Sequence, residues 1–144
     1  MSSFFSDKES ENLVRTIAEI EKNTIGELKI HVEDTCASSP YDRAVEVFQK
    51  LGMYKTREKT GVLIYLSTED RKIAVIGDRG IHEKLGPLFW TEIISEMKRR
   101  FASESIWKGV QYGLSEIGKE LIHHFPEKNK PVDELSNEIS YGHI

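Results

Sequence analysis

Cysteine is nearly absent: Cys36 is the only one in 144 residues, so no intramolecular disulfide can form. A lone thiol fits a reducing compartment, and the expected location is cytoplasmic. Neither a helix start nor a basic cluster adjoins Cys36 in sequence, so it reads as a small packing residue and not as a nucleophile. Long apolar runs are also missing. Nothing approaches the ~20 residues of a membrane span, and the start, MSSFFSDKESE, lacks the basic region and apolar core of a secretory signal. There is no cationic excess either: the net charge is -4, which leaves no electrostatic footprint for nucleic acid. Internal repeats, low-complexity tracts, a Walker loop, a nucleophile elbow, zinc-ligand spacing and a paired-carboxylate glycosidase pattern are all lacking. What is present, 38% hydrophobic and 31% charged residues, is the composition of one soluble domain with one core.

The most informative stretch is residues 60–85, TGVLIYLSTEDRKIAVIGDRGIHEKL. Two apolar runs, 62–66 and 73–76, are too short for helices and rich in β-branched residues, so both read as strands. Their near-continuous apolarity predicts a sheet covered on both faces. The tight turn at 67–71 joins them as a hairpin. Upstream, residues 27–32 alternate, with Leu28, Ile30 and Val32 facing one way and Lys29 and His31 the other. That pattern predicts a half-buried strand near an edge, with His31 half-exposed.

Helix signals separate these strands. Ser6 and Glu9 form a capping box with Phe5 as staple, followed by Leu13, Ile17 and Ile20 at helical spacing. Ser39 and Pro40 open a second helix with Ala44, Val45, Phe48 and Leu51 inward, closed by Gly52. Trp90, Ile93, Ile94, Met97 and Phe101 mark a third, and Ile106, Val110, Leu114, Ile117 and Leu121 a fourth, capped by Ser103 or Ser105. Trp90 and Trp107 lie on these apolar stripes and are expected in the core. Gly109, Gly113 and Gly118 lie in the last helix, each costing roughly 1 kcal/mol against Ala, so that helix should pack closely on a neighbour. The expected architecture is a Rossmann-like three-layer α/β/α sandwich with a small mixed sheet, one domain over 1–126. A polar tail follows over 127–144, in which Val132, Leu135 and Ile139 fall at roughly helical spacing.

This topology groups the chemistry at two ends of the sheet. The strands starting at Glu27 and Val62 should run parallel and the third opposite, so Glu27, residues 57–61 and residues 77–82 should converge. Glu27 and Asp78 are candidate metal ligands there, suited to Ca²⁺ or Mg²⁺ as hard, oxygen-seeking ions. Arg57, Arg79 and Thr60, with Thr56 beside them, are candidates for holding an anion such as a phosphate ester. His82 and Arg79 are the candidate catalytic residues, His82 for proton transfer near neutral pH. A structural reading stands beside this one: Asp78 caps the next helix, and the carboxylates pair with the arginines. The other end collects Glu33, Asp34 and the Glu69-Asp70-Arg71 turn, with Asp34 and Asp70 as alternative metal ligands and a solvated hairpin tip as the plain reading. Adjacent His123 and His124 complement a helix end and do not share a face.

Several of these segments, taken in order, resemble the TPM domain. They are Thr24-Ile25-Gly26-Glu27 before a strand, Thr60-Gly61-Val62-Leu63-Ile64 opening the next, Glu69-Asp70-Arg71 at the turn, and Gly77-Asp78-Arg79-Gly80-Ile81 after it. The likeness spans residues 5–125 and is nearest to the short soluble bacterial branch, with Thr56-Arg57, His82, His124-Phe125-Pro126 and Glu134-Leu135 also matched. It implies an α/β/α sandwich, divalent cation binding (usually calcium) and an acid phosphatase activity. It also maps the strand-leading carboxylate to Glu27 and the glycine-flanked loop to residues 77–80. Thr60, preceded by Lys59, stands where many members carry an acidic residue or Asn. The expected function is therefore a divalent-cation-binding domain with a binding or regulatory role. The alternatives are a weak metal-assisted phosphatase and a metal-independent module for a protein partner.

Overall fold

The computed structural model describes residues 4–127 and 137–144. Along the chain come α1 (Asp7–Glu21), β1 (Glu27–Glu33), α2 (Pro40–Lys50), a 3-10 turn (Met53–Lys55), β2 (Gly61–Ser67) and β3 (Lys72–Gly77). There follow α3 (Arg79–Leu85), α4 (Pro87–Ser103), α5 (Ile106–His124) and β4 (Ser140–Tyr141). The sheet has the order β3-β2-β1-β4. β1 and β2 are parallel from Glu27↔Gly61 to Glu33↔Ser67, and β3 returns antiparallel to β2, as the sequence predicts.

Local chemistry sets the helix starts. The Ser6 hydroxyl accepts from the Glu9 N–H at 3.1 Å while the Glu9 carboxylate accepts from the Ser6 N–H at 3.0 Å, a complete capping box. Ser39 accepts from Asp42 N–H with Pro40 at the first helical position, and Ser105 accepts from Lys108 N–H. Gly86, at φ +80°, is the hinge between α3 and α4.

The sheet divides two cores. Leu28, Ile30, Val32, Val62, Ile64, Leu66, Ile73 and Val75 pack against α1, α3, α4 and α5. On the opposite face Leu63, Tyr65 and Ala74 pack against Ala44, Val47, Phe48 and Met53. Each fully buried large aliphatic side chain is worth roughly 1.5–3 kcal/mol, so the larger core supplies most of the stability. The α5 glycines let neighbours approach: a Cβ at Gly113 would lie 2.6 Å from Met97 Sδ, and one at Gly109 would overlap the Phe101 ring. Trp90 is in the core, whereas Trp107 is only half-buried against it.

β1 departs from expectation. It is buried along its whole length, and His31 is fully buried, not half-exposed. The reason lies in the far C-terminal segment. β4 pairs parallel to β1 at His31↔Ser140 and Val32↔Tyr141, so β1 is an inner strand. The Lys29 ammonium donates to the Glu138 carbonyl at 2.8 Å, and Ile139 and Tyr141 pack on the core. Val132, Glu134 and Leu135 lie outside the described residues.

Candidate functional site

The strand-leading end is assembled by close backbone approach. The Thr24 hydroxyl donates to the Leu121 carbonyl at 3.0 Å, and a Cβ on Gly26 would lie 2.6 Å from Leu121, so the Thr24-Ile25-Gly26 lead presses onto α5 and delivers Glu27 to the sheet. Glu27 N–H donates to Thr60 O at 3.3 Å, and Asp78 N–H to Gly61 O at 2.8 Å. A side chain at Gly80 would overlap the Glu58 carbonyl oxygen, so only glycine lets α3 seat on the 58–60 loop. The expected convergence of Glu27, residues 57–61 and residues 77–82 is therefore present.

Within that end the side chains differ in availability. Glu27 is fully buried. Asp78 caps α3, its Oδ1 accepting from Arg79 N–H at 2.7 Å. Its Oδ2 is closed off from solvent and has no hydrogen-bond partner among the described residues. Thr56 and Thr60 are buried and bind inward: Thr60 N–H donates to Thr56 Oγ at 3.0 Å, and the Thr60 hydroxyl lies 3.5 Å from the Ile25 carbonyl. Arg57 and Arg79 are exposed and form no ion pair among the described residues. His82 is exposed, and its Nδ1 accepts from Trp90 Nε1–H at 3.0 Å, which puts the proton of the neutral ring on Nε2.

The opposite end holds a network that the sequence reading missed. The Glu33 carboxylate is buried and accepts from Arg43 through Nε at 3.1 Å and again through its terminal nitrogen, and from the Tyr65 hydroxyl at 2.7 Å. His31 Nε2 lies 3.3 Å from Glu33 while its Nδ1 meets Ser140 Oγ at 2.7 Å, and His143 Nδ1 stands 3.6 Å from Glu33. Burial pushes the Glu33 pKa up, but hydrogen bonds from Arg43, Tyr65 and His31 outweigh it and hold the group below its ordinary value. Burial wins at His31 and lowers its pKa despite Glu33, and burial together with the Glu33 bond raises that of Tyr65. The signal was there in part. Lys29, His31 and Glu33 alternate on one strand face, and the parallel register sets Tyr65 opposite His31. Arg43 and β4 come from elsewhere.

The alternative ligands at this end are exposed, Asp70 tied into the turn through its carboxylate and Asp34 through its backbone carbonyl. Asp70 Oδ2 accepts from Cys36 N–H at 2.5 Å, and the Asp34 carbonyl accepts from Glu69 N–H at 2.8 Å. Cys36 is buried with its thiol donating to the Ser38 carbonyl at 3.2 Å, the packing role expected of it. Among the described residues no three His, Cys, Asp or Glu side chains are grouped to hold a metal, and no helix is long and apolar enough to cross a membrane.

Comparison with known proteins places this geometry. The NMR structure of the BA42 protein from the psychrophilic bacterium Bizionia argentinensis is 34% identical, covers 99% of this chain and 98% of its own, and superposes with a TM-score of 0.89. The solution NMR structure of the N-terminal domain of a protein from P. gingivalis shares the fold, with a TM-score of 0.71, 16% identity and coverage of 87% and 83%. No curated protein sequence matches. The family model described as the TPM domain matches residues 1–120. With the predicted strand, turn and glycine-loop segments all in place on this fold, the chain belongs to the TPM domain family.

Proposed function

We propose that this domain binds a divalent cation, Ca²⁺ or Mg²⁺, at the end of the sheet where Glu27 and Asp78 lie, and serves a binding or regulatory role. The observation that supports this is Asp78 Oδ2, a carboxylate oxygen shut off from water with no hydrogen-bond donor among the described residues. Such an oxygen costs on the order of 1–3 kcal/mol unless something satisfies it, and a cation does so directly. The opposite end offers less: Glu33 already takes donors from Arg43, Tyr65 and His31, and Asp70 is committed to the Cys36 N–H. Two carboxylates do not complete a shell, so backbone carbonyls and water would fill the remainder, as Mg²⁺ in particular prefers. Calorimetric titration of chelator-treated protein should give saturable heats that Asp78→Asn removes and Asp70→Asn leaves intact. Unchanged affinity in Asp78→Asn would sink the assignment.

His82 favours a second reading, metal-assisted hydrolysis of a phosphate ester. Trp90 holds its Nδ1, so Nε2–H is the proton offered to solvent, and Arg57 and Arg79 carry no competing carboxylate among the described residues. The arginines would hold the phosphoryl oxygens, and His82 Nε2–H would donate a hydrogen bond to the leaving-group oxygen as charge develops on it. Hydrolysis of an aryl phosphate should then require the ion and vanish in Arg79→Ala and in His82→Ala. Turnover surviving both changes would rule this reading out.

A further inference from the structure

A cavity of about 800 Å³ opens beside the β2–β3 turn, on the face of the sheet covered by α4 and α5 and away from Asp78. Leu66 and Ile73 from the sheet, Phe101 from α4 and Ile106 from α5 form its apolar floor. Its volume lies in the range of small-molecule sites, which are mostly apolar with a few placed polar groups. Among the described residues the charge on its walls is of one sign, Arg71, Lys72 and Lys98 with no Asp or Glu, in a chain of net charge -4. The Lys72 ammonium turns away to the Cys36 and Ser38 carbonyls, at 2.9 and 3.3 Å, and contributes its stem. Arg71 and Lys98 are exposed and make no ion pair among the described residues. Arg71 also sits at φ +55°, a left-handed turn position that suits glycine or asparagine better.

The shallower groove between α1 and α5 shows what an ordinary surface recess looks like here. Its Glu19 is paired with Lys22 and its Lys119 with Glu116, which leaves Arg15 as its single cation without an ion pair among the described residues. The turn cavity combines an apolar floor with two unpaired cations at its rim. We propose that it binds a medium-chain fatty carboxylate, the alkyl chain lying on Leu66, Ile73, Phe101 and Ile106 and the carboxylate on Arg71 and Lys98. A guanidinium gives two parallel hydrogen bonds to a carboxylate, and the ammonium adds a third charge-assisted donor.

The test is titration of the full chain with decanoate below its micelle concentration, followed by amide NMR and calorimetry. Saturable shifts are expected at residues 66–73 and 98–106. Decanol and decyltrimethylammonium, with the same chain and the wrong head, should bind roughly tenfold or more weakly. The double variant Arg71→Glu, Lys98→Glu should lose affinity for decanoate by a similar factor, and Ala102→Trp, which fills the cavity without touching its charge, should lose it as well. Equal binding of decanol, retained affinity in either variant, or shifts scattered over other faces would overturn the proposal.

Discussion

The two ends of the sheet carry similar residue types and use them in opposite ways. At the Glu33 end, a buried carboxylate is surrounded by Arg43, Tyr65 and His31, and the C-terminal segment closes over it through Ser140 and His143. At the Asp78 end, a carboxylate oxygen is buried without a donor among the described residues, and Arg57, Arg79 and His82 face solvent. Charges that satisfy one another hold the fold; charges left without protein partners are available to something else. By that criterion the Glu33 end is architecture and the Asp78 end is the candidate site.

The largest expected effect comes from breaking the satisfied end. Glu33→Ala leaves Tyr65 without its acceptor and Arg43 with only the exposed Glu46, and removing one partner of a buried ion pair costs about 3–5 kcal/mol. Urea unfolding should show that loss, while Arg79→Ala at the other end should leave the midpoint unmoved. Equal effects of the two changes would erase the distinction. Next comes Gly80→Ala, whose added methyl runs into the rigid backbone at Glu58. It should cost about 1–3 kcal/mol and displace the amide signals of Lys59 and Asp78. A neutral result would mean that α3 does not seat tightly on that loop.

Acid should sharpen the contrast further. The folded pKa of His31 is depressed below its ordinary 6.5, so the unfolded chain takes up the proton first. Stability should be full above that value and fall as the pH drops from 6.5 towards the folded pKa. Glu33, also depressed from 4.5, adds a second loss below that value, when the unfolded carboxylate is protonated and the folded one is not. His31→Gln should remove the first slope and keep the second, as followed by thermal melts across pH. A first slope that survives the substitution would place the titrating group elsewhere. A small stability effect is expected from Asp78→Asn. Asparagine caps a helix about as well as aspartate, so the change should stay within about 0.5 kcal/mol by urea unfolding while cation binding is lost.

Which parts of this contrast were legible from residues alone follows from the range of the interactions. Ser6 with Glu9, Ser39 with Pro40, and the two runs around the 67–71 turn act within a few positions, and each produced the expected element. Parallel pairing of β1 with β2 then brought Glu27, Gly61 and Asp78 together as read. The inner placement of β1 was not legible, because its second neighbour, β4, is two residues long and lies over a hundred positions downstream of His31, with a pattern too short to announce a strand. The Glu33 network was missed for the same reason. Lys29, His31 and Glu33 looked like the wet face of an edge strand because the residues that cover them, Arg43, Glu138 and Ser140, carry no local sign of doing so.

The most direct test of the central claim is an amide NMR titration of the chelator-treated full chain, with Ca²⁺ and then Mg²⁺. Saturable shifts concentrated at Glu27, Thr60 and residues 77–82, with the Glu33, Tyr65 and Ser140 signals unmoved, are the predicted result. Shifts centred on Asp34 and Asp70, or none at millimolar ion, would contradict it.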